Sequence, residues 1–203
     1  MFADRINRAL RRLPAWPVYL LALAHVIWLI WLGATGGLGI EPIEALEHAL
    51  GLTGLKLMIA ALAVTPLRRF AGINLLRFRR ALGLTTFFYV TVHLLVWLVL
   101  DIGDPAAIWA DIVKRPYITV GMAGFVLLVP LAITSNDWSV RRLGPGWRRL
   151  QRLSYPAALL GASHYVMLSK GFQLQPMAYL AAVLALLALR LPWKRWRREI
   201  PTA

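Results

Sequence analysis

Six times along this chain a run of apolar residues close to twenty long is followed by a short polar or basic connection. A helix needs about 20 apolar residues to cross ~30 Å of hydrocarbon at 1.5 Å per residue. The pattern therefore predicts an all-α integral membrane bundle of six transmembrane helices, at 17–35, 50–67, 81–100, 116–134, 153–170 and 175–191. The stretch ahead of the first run, MFADRINRALRRLPAW, is like the basic n-region of a signal peptide. No small-residue cleavage site follows and five more apolar runs do, so it is expected to stay attached as part of an anchor. With no internal repeat and no low-complexity linker, residues 1–203 are expected to form a single domain.

The connections differ in charge. Four Lys or Arg precede the first run, five lie between runs two and three, five between four and five, and five close the chain, so 19 of the 23 cations fall on one side of an alternating topology. The opposite connections hold Lys114, Arg115 and Lys170 against Glu41, Glu44, Glu47, Asp101, Asp104 and Asp111, a net charge of −3. The remaining cation, Lys56, lies inside the second run. Short loops rich in Lys and Arg stay on the cytoplasmic side, which places both termini inside and the acidic connections outside. In a bacterium this is the inner membrane.

Composition agrees with lipid as the solvent. The chain is 59% hydrophobic and 16% charged, against roughly 45–50% and about 25% in soluble domains. The net charge of +14 would suit a nucleic-acid binder, but its segregation to alternate loops is explained by topology and contact with anionic lipid. The absence of cysteine excludes disulfides, thiolate metal sites, iron–sulfur clusters and covalent c-type haem attachment.

Ligand-capable side chains inside spans are costly and therefore mark function. Entering from the cytoplasm, His93 lies ~18 Å along the third span and His164 ~17 Å along the fifth. Each is readable as a buried polar group bonded to a neighbouring helix. Their shared depth favours a second reading, in which the two imidazoles take opposite faces of one haem iron, an arrangement suited to electron transfer. Ala157, Leu160 and Gly161 share a face with His164 and leave room for a flat macrocycle, while Thr86, Tyr89, Val90, Val96 and Trp97 around His93 are bulky enough to wall it. His25, in the inner half of span one, is expected to pack structurally. His48 is expected on a short solvated surface helix with Glu44 and Glu47. Lys56 and Arg115 are candidates to neutralise haem propionates, and Lys56 has the alternative of snorkelling to the surface.

The segments HALGLTGLKLMIAALAVTPLRRF (48–70), RRALGLTTFFYVTVHLL (79–95), KRPYITVG (114–121) and WRRLQRLSYPAALLGASHYVMLSK (147–170) follow one another in this order. Together they resemble the MsrQ family, formerly YedZ. These are haem-binding membrane subunits of the bacterial periplasmic protein-methionine-sulfoxide reductase system, related to the transmembrane part of ferric reductases and NADPH oxidases. The resemblance implies a b-type cytochrome of the inner membrane that draws electrons from the quinone pool and passes them to MsrP, a periplasmic molybdopterin reductase. It places the family's ligand histidines at His93 and His164, and it associates FMN with the family, to which no residue here is assigned. One departure is visible: where the family motif reads Leu-His, this chain reads Leu150-Gln151. Gln151 falls ~20 Å below His164, at the depth where the oxidase relatives carry a second haem. A Gln amide is a poor iron ligand, and Arg80, at the matching position before His93, is none. One haem b is thus expected and an inner one is in doubt, His25 being the remaining ligand in that half.

Twelve residues follow the sixth run, too few for a flavin- and NADPH-binding domain, so electrons are expected from a membrane quinol or a separate flavin reductase. A ferric-chelate reductase acting through an exposed haem edge is the alternative within redox chemistry. A transporter would need polar residues along a path and broken helices, which the apolar runs do not offer.

Overall fold

The computed structural model describes residues 2–169 and 172–190. Lys170, Leu191 at the end of the sixth expected span, and the basic residues from Lys194 to Arg198 lie outside the described residues. Among those described, the secondary structure is helical throughout. The principal helices are α1 (Phe2–Arg12), α2 (Pro17–Ala34), α3 (Pro42–Phe70), α4 (Arg79–Val96), α5 (Pro105–Lys114), α6 (Pro116–Ile133), α7 (Asp137–Leu143), α8 (Pro145–Leu150), α9 (Ser154–Leu168) and α10 (Leu174–Ala188). Proline opens α2, α3, α5, α6 and α8. Its fixed φ suits a first helical turn, where its missing N–H would have no intrahelical partner.

Four helical stretches are long and apolar enough to cross a membrane: Pro17–Ala34, Pro42–Phe70, Leu76–Ile102 and Pro116–Ile133. The fifth and sixth expected spans are helical over Ser154–Leu168 and Leu174–Ala188, 15 residues each, or about 22 Å at 1.5 Å per residue. α9 runs on from α8 through one 3₁₀ turn at Gln151–Leu153.

Three features depart from the sequence expectation. The second apolar run extends to Pro42, so Glu44, Glu47 and His48 ride on the first turns of a 29-residue α3 and not on a separate surface helix. Pro42 at its start and the uninterrupted apolar face below explain the extension. α4 continues into a π-helical turn at Trp97–Ile102, ended by Gly103 at φ 67°. The acidic connection after it holds α5, whose N-cap Asp104 accepts a 3.0 Å bond from the Ala107 N–H.

α3 occupies the centre, packed most extensively on α4 and also on α2, α9 and α10, while α6 packs on α9. One buried cluster joins Leu55, Met58 and Leu62 of α3 to Leu128 and Leu131 of α6, to Ala157, Ala158 and Ala162 of α9, and to Val183 of α10. A second joins Ala22, Val26 and Leu29 of α2 to Leu46 and Leu50 of α3 and Tyr89 of α4. The outer face of α2 leaves Leu20, Leu21, Ile27, Trp28 and Trp31 exposed, an apolar surface that water would penalise and lipid would not. Where α3 turns into α4, Asn7 of α1 donates to the Gly72 carbonyl at 2.9 Å and accepts from the Asn74 N–H at 2.8 Å.

Candidate functional site

A cavity of about 1160 Å³ opens between α3, α4, α6 and α9, somewhat larger than the ~300–1,000 Å³ usual for small-molecule pockets. Its deep wall is apolar: Met58 of α3, Val90 of α4, Phe125 and Leu128 of α6, and Ala157 and Gly161 of α9. Phe125 is held by a parallel stack on Phe87, with ring centres 5.7 Å apart. Its mouth carries Glu44, Glu47, His48, Asp101 and Arg115.

His93 and His164 meet inside this cavity. Their ring centres are 6.4 Å apart and their planes cross at 72°. The shared depth read from the sequence is therefore also a shared location. Nδ1 of His93 lies 3.0 Å from the Glu47 carbonyl of α3, and Nδ1 of His164 lies 2.7 Å from the Tyr117 carbonyl of α6. A carbonyl oxygen can only accept, so each Nδ1 carries the proton and donates it, leaving Nε2 of the neutral ring as a bare lone pair. This is the arrangement in which metal-ligating histidines are usually found, one ring nitrogen on the metal and the other anchored. Two metal–imidazole bonds of about 2.0–2.1 Å each take up roughly 4 Å of the separation, and the distance from each Nε2 to its ring centre accounts for the remainder. The donor set, its spacing and the flat apolar wall beside it fit a haem held from both faces.

Of the two candidate propionate partners, only Arg115 lines the cavity; Lys56 is exposed and does not. Arg115 sits 3.3 Å from the Tyr117 hydroxyl and 3.3 Å from Asp111. The hydrogen bond to Tyr117 and the neighbouring carboxylate hold its pKa above the ordinary guanidinium value. Ala157, Gly161, Val90 and Trp97 line the cavity as their helical faces suggested, whereas Thr86 donates to the Leu82 carbonyl at 2.8 Å and Tyr89 turns to α2. There Tyr89 bonds Nδ1 of His25 at 2.8 Å, so His25 packs between helices away from the cavity. His48 lines the cavity and meets the Tyr165 ring edge-on at 5.9 Å. Gln151 donates to the Leu131 carbonyl and the Thr134 hydroxyl, each at 3.4 Å, at the opposite end of α6.

Sequence reasoning missed the carbonyl partners of both imidazoles, because acceptor and donor are 46 and 47 residues apart with no local signal. It also missed Asp101 as a mouth residue. Eight residues past His93 on a regular helix it would stand about 80° round from that imidazole, and the wider π turn at Trp97–Ile102, which advances fewer degrees per residue, brings it closer to the same direction.

The family described as ferric reductase like transmembrane component matches residues 50–162, which include His93 and end two residues before His164. Relatives named protein-methionine-sulfoxide reductase heme-binding subunit MsrQ are similar over nearly the whole chain. The one from Rhizobium meliloti is 48% identical over 189 residues, 91% of this chain and 87% of its own. The one from Agrobacterium fabrum is 46% identical over 177 residues, 87% of this chain and 82% of its own.

The chain belongs to the MsrQ family. A further MsrQ, from Brucella anthropi, is 45% identical over 188 residues. No solved structure matches the chain.

Proposed function

We propose that this chain is a b-type cytochrome of the bacterial inner membrane, the haem-binding subunit of a protein-methionine-sulfoxide reductase system. It takes electrons from the quinone pool and delivers them to a periplasmic molybdopterin reductase of the MsrP type. The observation that carries this reading is the pair of facing imidazoles, 6.4 Å apart, each with Nδ1 tied to a carbonyl of a different helix. His93 and His164 would hold the haem, which would supply one-electron transfer. Every other role falls to the chain. The Glu47 and Tyr117 carbonyls keep the two Nε2 atoms unprotonated and aimed inward. Val90, Phe125, Leu128 and Ala157 exclude water from the deep wall. Arg115 supplies a fixed cation at the mouth for a propionate.

The same reading has six spans with both termini cytoplasmic, since 19 of the 23 cations then lie inside. The cavity mouth, with Glu44, Glu47 and Asp101, then faces the periplasm and a basic patch on the soluble partner. No second haem is assigned to the inner half, where Gln151 and His25 are both engaged in protein hydrogen bonds.

The test is electron delivery. Dithionite-reduced protein is expected to be reoxidised by an MsrP-type reductase with methionine sulfoxide, and to stay reduced with methionine sulfoxide alone. Rapid reoxidation by ferric chelates with none by the reductase pair would instead support a ferric-chelate reductase, the reading that the ferric reductase-like match keeps open.

A further inference from the structure

The two imidazoles reach their places by one local arrangement used twice. Nδ1 of His93 donates to the Glu47 carbonyl, and an ideal Cβ on Gly51 would lie 3.3 Å from Nδ1 and from Cε1 of that ring. Nδ1 of His164 donates to the Tyr117 carbonyl, and a Cβ on Gly121 would lie 2.8 Å from Nδ1 and 3.0 Å from Cε1. In both cases the acceptor is residue i and the glycine residue i+4, so the carbonyl taking the imidazole proton is the one that the glycine N–H bonds within the helix. A side chain at either glycine would stand where the ring now lies against the neighbouring helix.

We propose that Gly51 and Gly121 are positioning residues for the axial ligands. Each glycine lets an imidazole lie flat against the next helix within reach of the carbonyl one turn earlier. It thereby sets which nitrogen is free and at what angle the ring stands, so that the 72° crossing of the two planes is built into α3 and α6. The proposal rests on the cytochrome reading above. Close helix packing is the competing explanation for glycine in a membrane helix, and Gly124 separates the two. It lies on α6 beside α9 as Gly121 does, but a Cβ there would touch Leu160 at 3.4 Å and the α9 backbone at 3.7 Å, with no imidazole atom among its nearest contacts.

The experiment compares purified wild type with G51A, G121A and G124A by haem titration, ferric electron paramagnetic resonance and midpoint potential. Steeply crossed axial planes give a low-spin ferric signal dominated by one low-field feature, and near-parallel planes give a resolved rhombic one, so the spectrum reads ring orientation directly. Wild type is expected to show the first kind. G121A is expected to bind haem about 10–100-fold more weakly, the usual effect of disturbing a ligand's supporting contacts, with a changed signal and potential. G51A shifts the same way by less, its contacts being 3.3 Å, and G124A, at a position that also lines the cavity but whose Cβ meets no imidazole atom, keeps the wild-type ring signal. A wild-type signal and potential in G121A would overturn the proposal, as would equal changes in G124A and G121A. If G121A does not accumulate as folded protein, unchanged signal and potential in G51A would overturn it. In haem-free protein, ¹⁵N shifts should show Nδ1–H on both rings and loss of that state for His164 in G121A. That readout stands even where the haem reading fails.

Discussion

Each imidazole in the cavity is hydrogen-bonded on one side only: Nδ1 is bonded to a carbonyl, and Nε2 has no hydrogen-bond partner among the described residues. A lone pair left so in a membrane interior is costly unless a ligand meets it. The cations nearby differ from one another in the same concrete way. Arg115 is at the mouth and Lys56 is not, so Arg115→Gln should weaken haem binding, by up to about ten-fold if the guanidinium meets a propionate, since a hydrogen bond to a charged group contributes ~1.5–3 kcal/mol before its exposure is discounted. Lys56→Gln should bind haem as wild type does; titration of the haem-free protein with haem measures both. Gln151 makes two hydrogen bonds at 3.4 Å to the end of α6. Gln151→Ala is expected to keep the haem-to-protein ratio and to cost at most ~1 kcal/mol of stability, as read by pigment analysis and thermal unfolding. Loss of one of two haems in that variant would show that the inner half holds a second site.

At the level of helices, α1 is held at the turn from α3 to α4 by Asn7, which bonds the backbone of Gly72 and Asn74 from 65 and 67 residues away. Asn7→Ala should therefore cost about 1 kcal/mol locally. Hydrogen exchange should show faster exchange of the Asn74 amide with the membrane helices unchanged. Hydropathy marked where the long helices α2, α3, α4 and α6 lie, because burial in lipid is written in composition. It also paired His93 with His164, because both count the same distance from a basic loop. It did not show where α3 begins, since Glu44, Glu47 and His48 break the apolar run while remaining good helix positions under Pro42. Nor did it show the π turn, the carbonyl partners of the imidazoles, or the link from His25 to Tyr89, which spans 64 residues. Those features depend on contacts between elements, and apolar runs of similar composition carry no record of which faces meet.

For the molecule as a whole, the basic loops and the cavity place two ends in opposition: cations at the turns after α3 and α6, acids around the mouth between α3, α4 and α6. Reporter fusions read this directly, with a fusion after Asp104 expected in the periplasm and one after Arg142 in the cytoplasm; the reverse pattern would refute the orientation. The central claim, that His93 and His164 together hold one b haem, is tested most directly by the absorption spectrum and haem content of the purified protein beside H93A and H164A. The wild type should carry one low-spin haem per chain, and each variant should lose it or show a five-coordinate spectrum. A colourless wild type, or single variants that both keep its spectrum and haem content, would contradict the account.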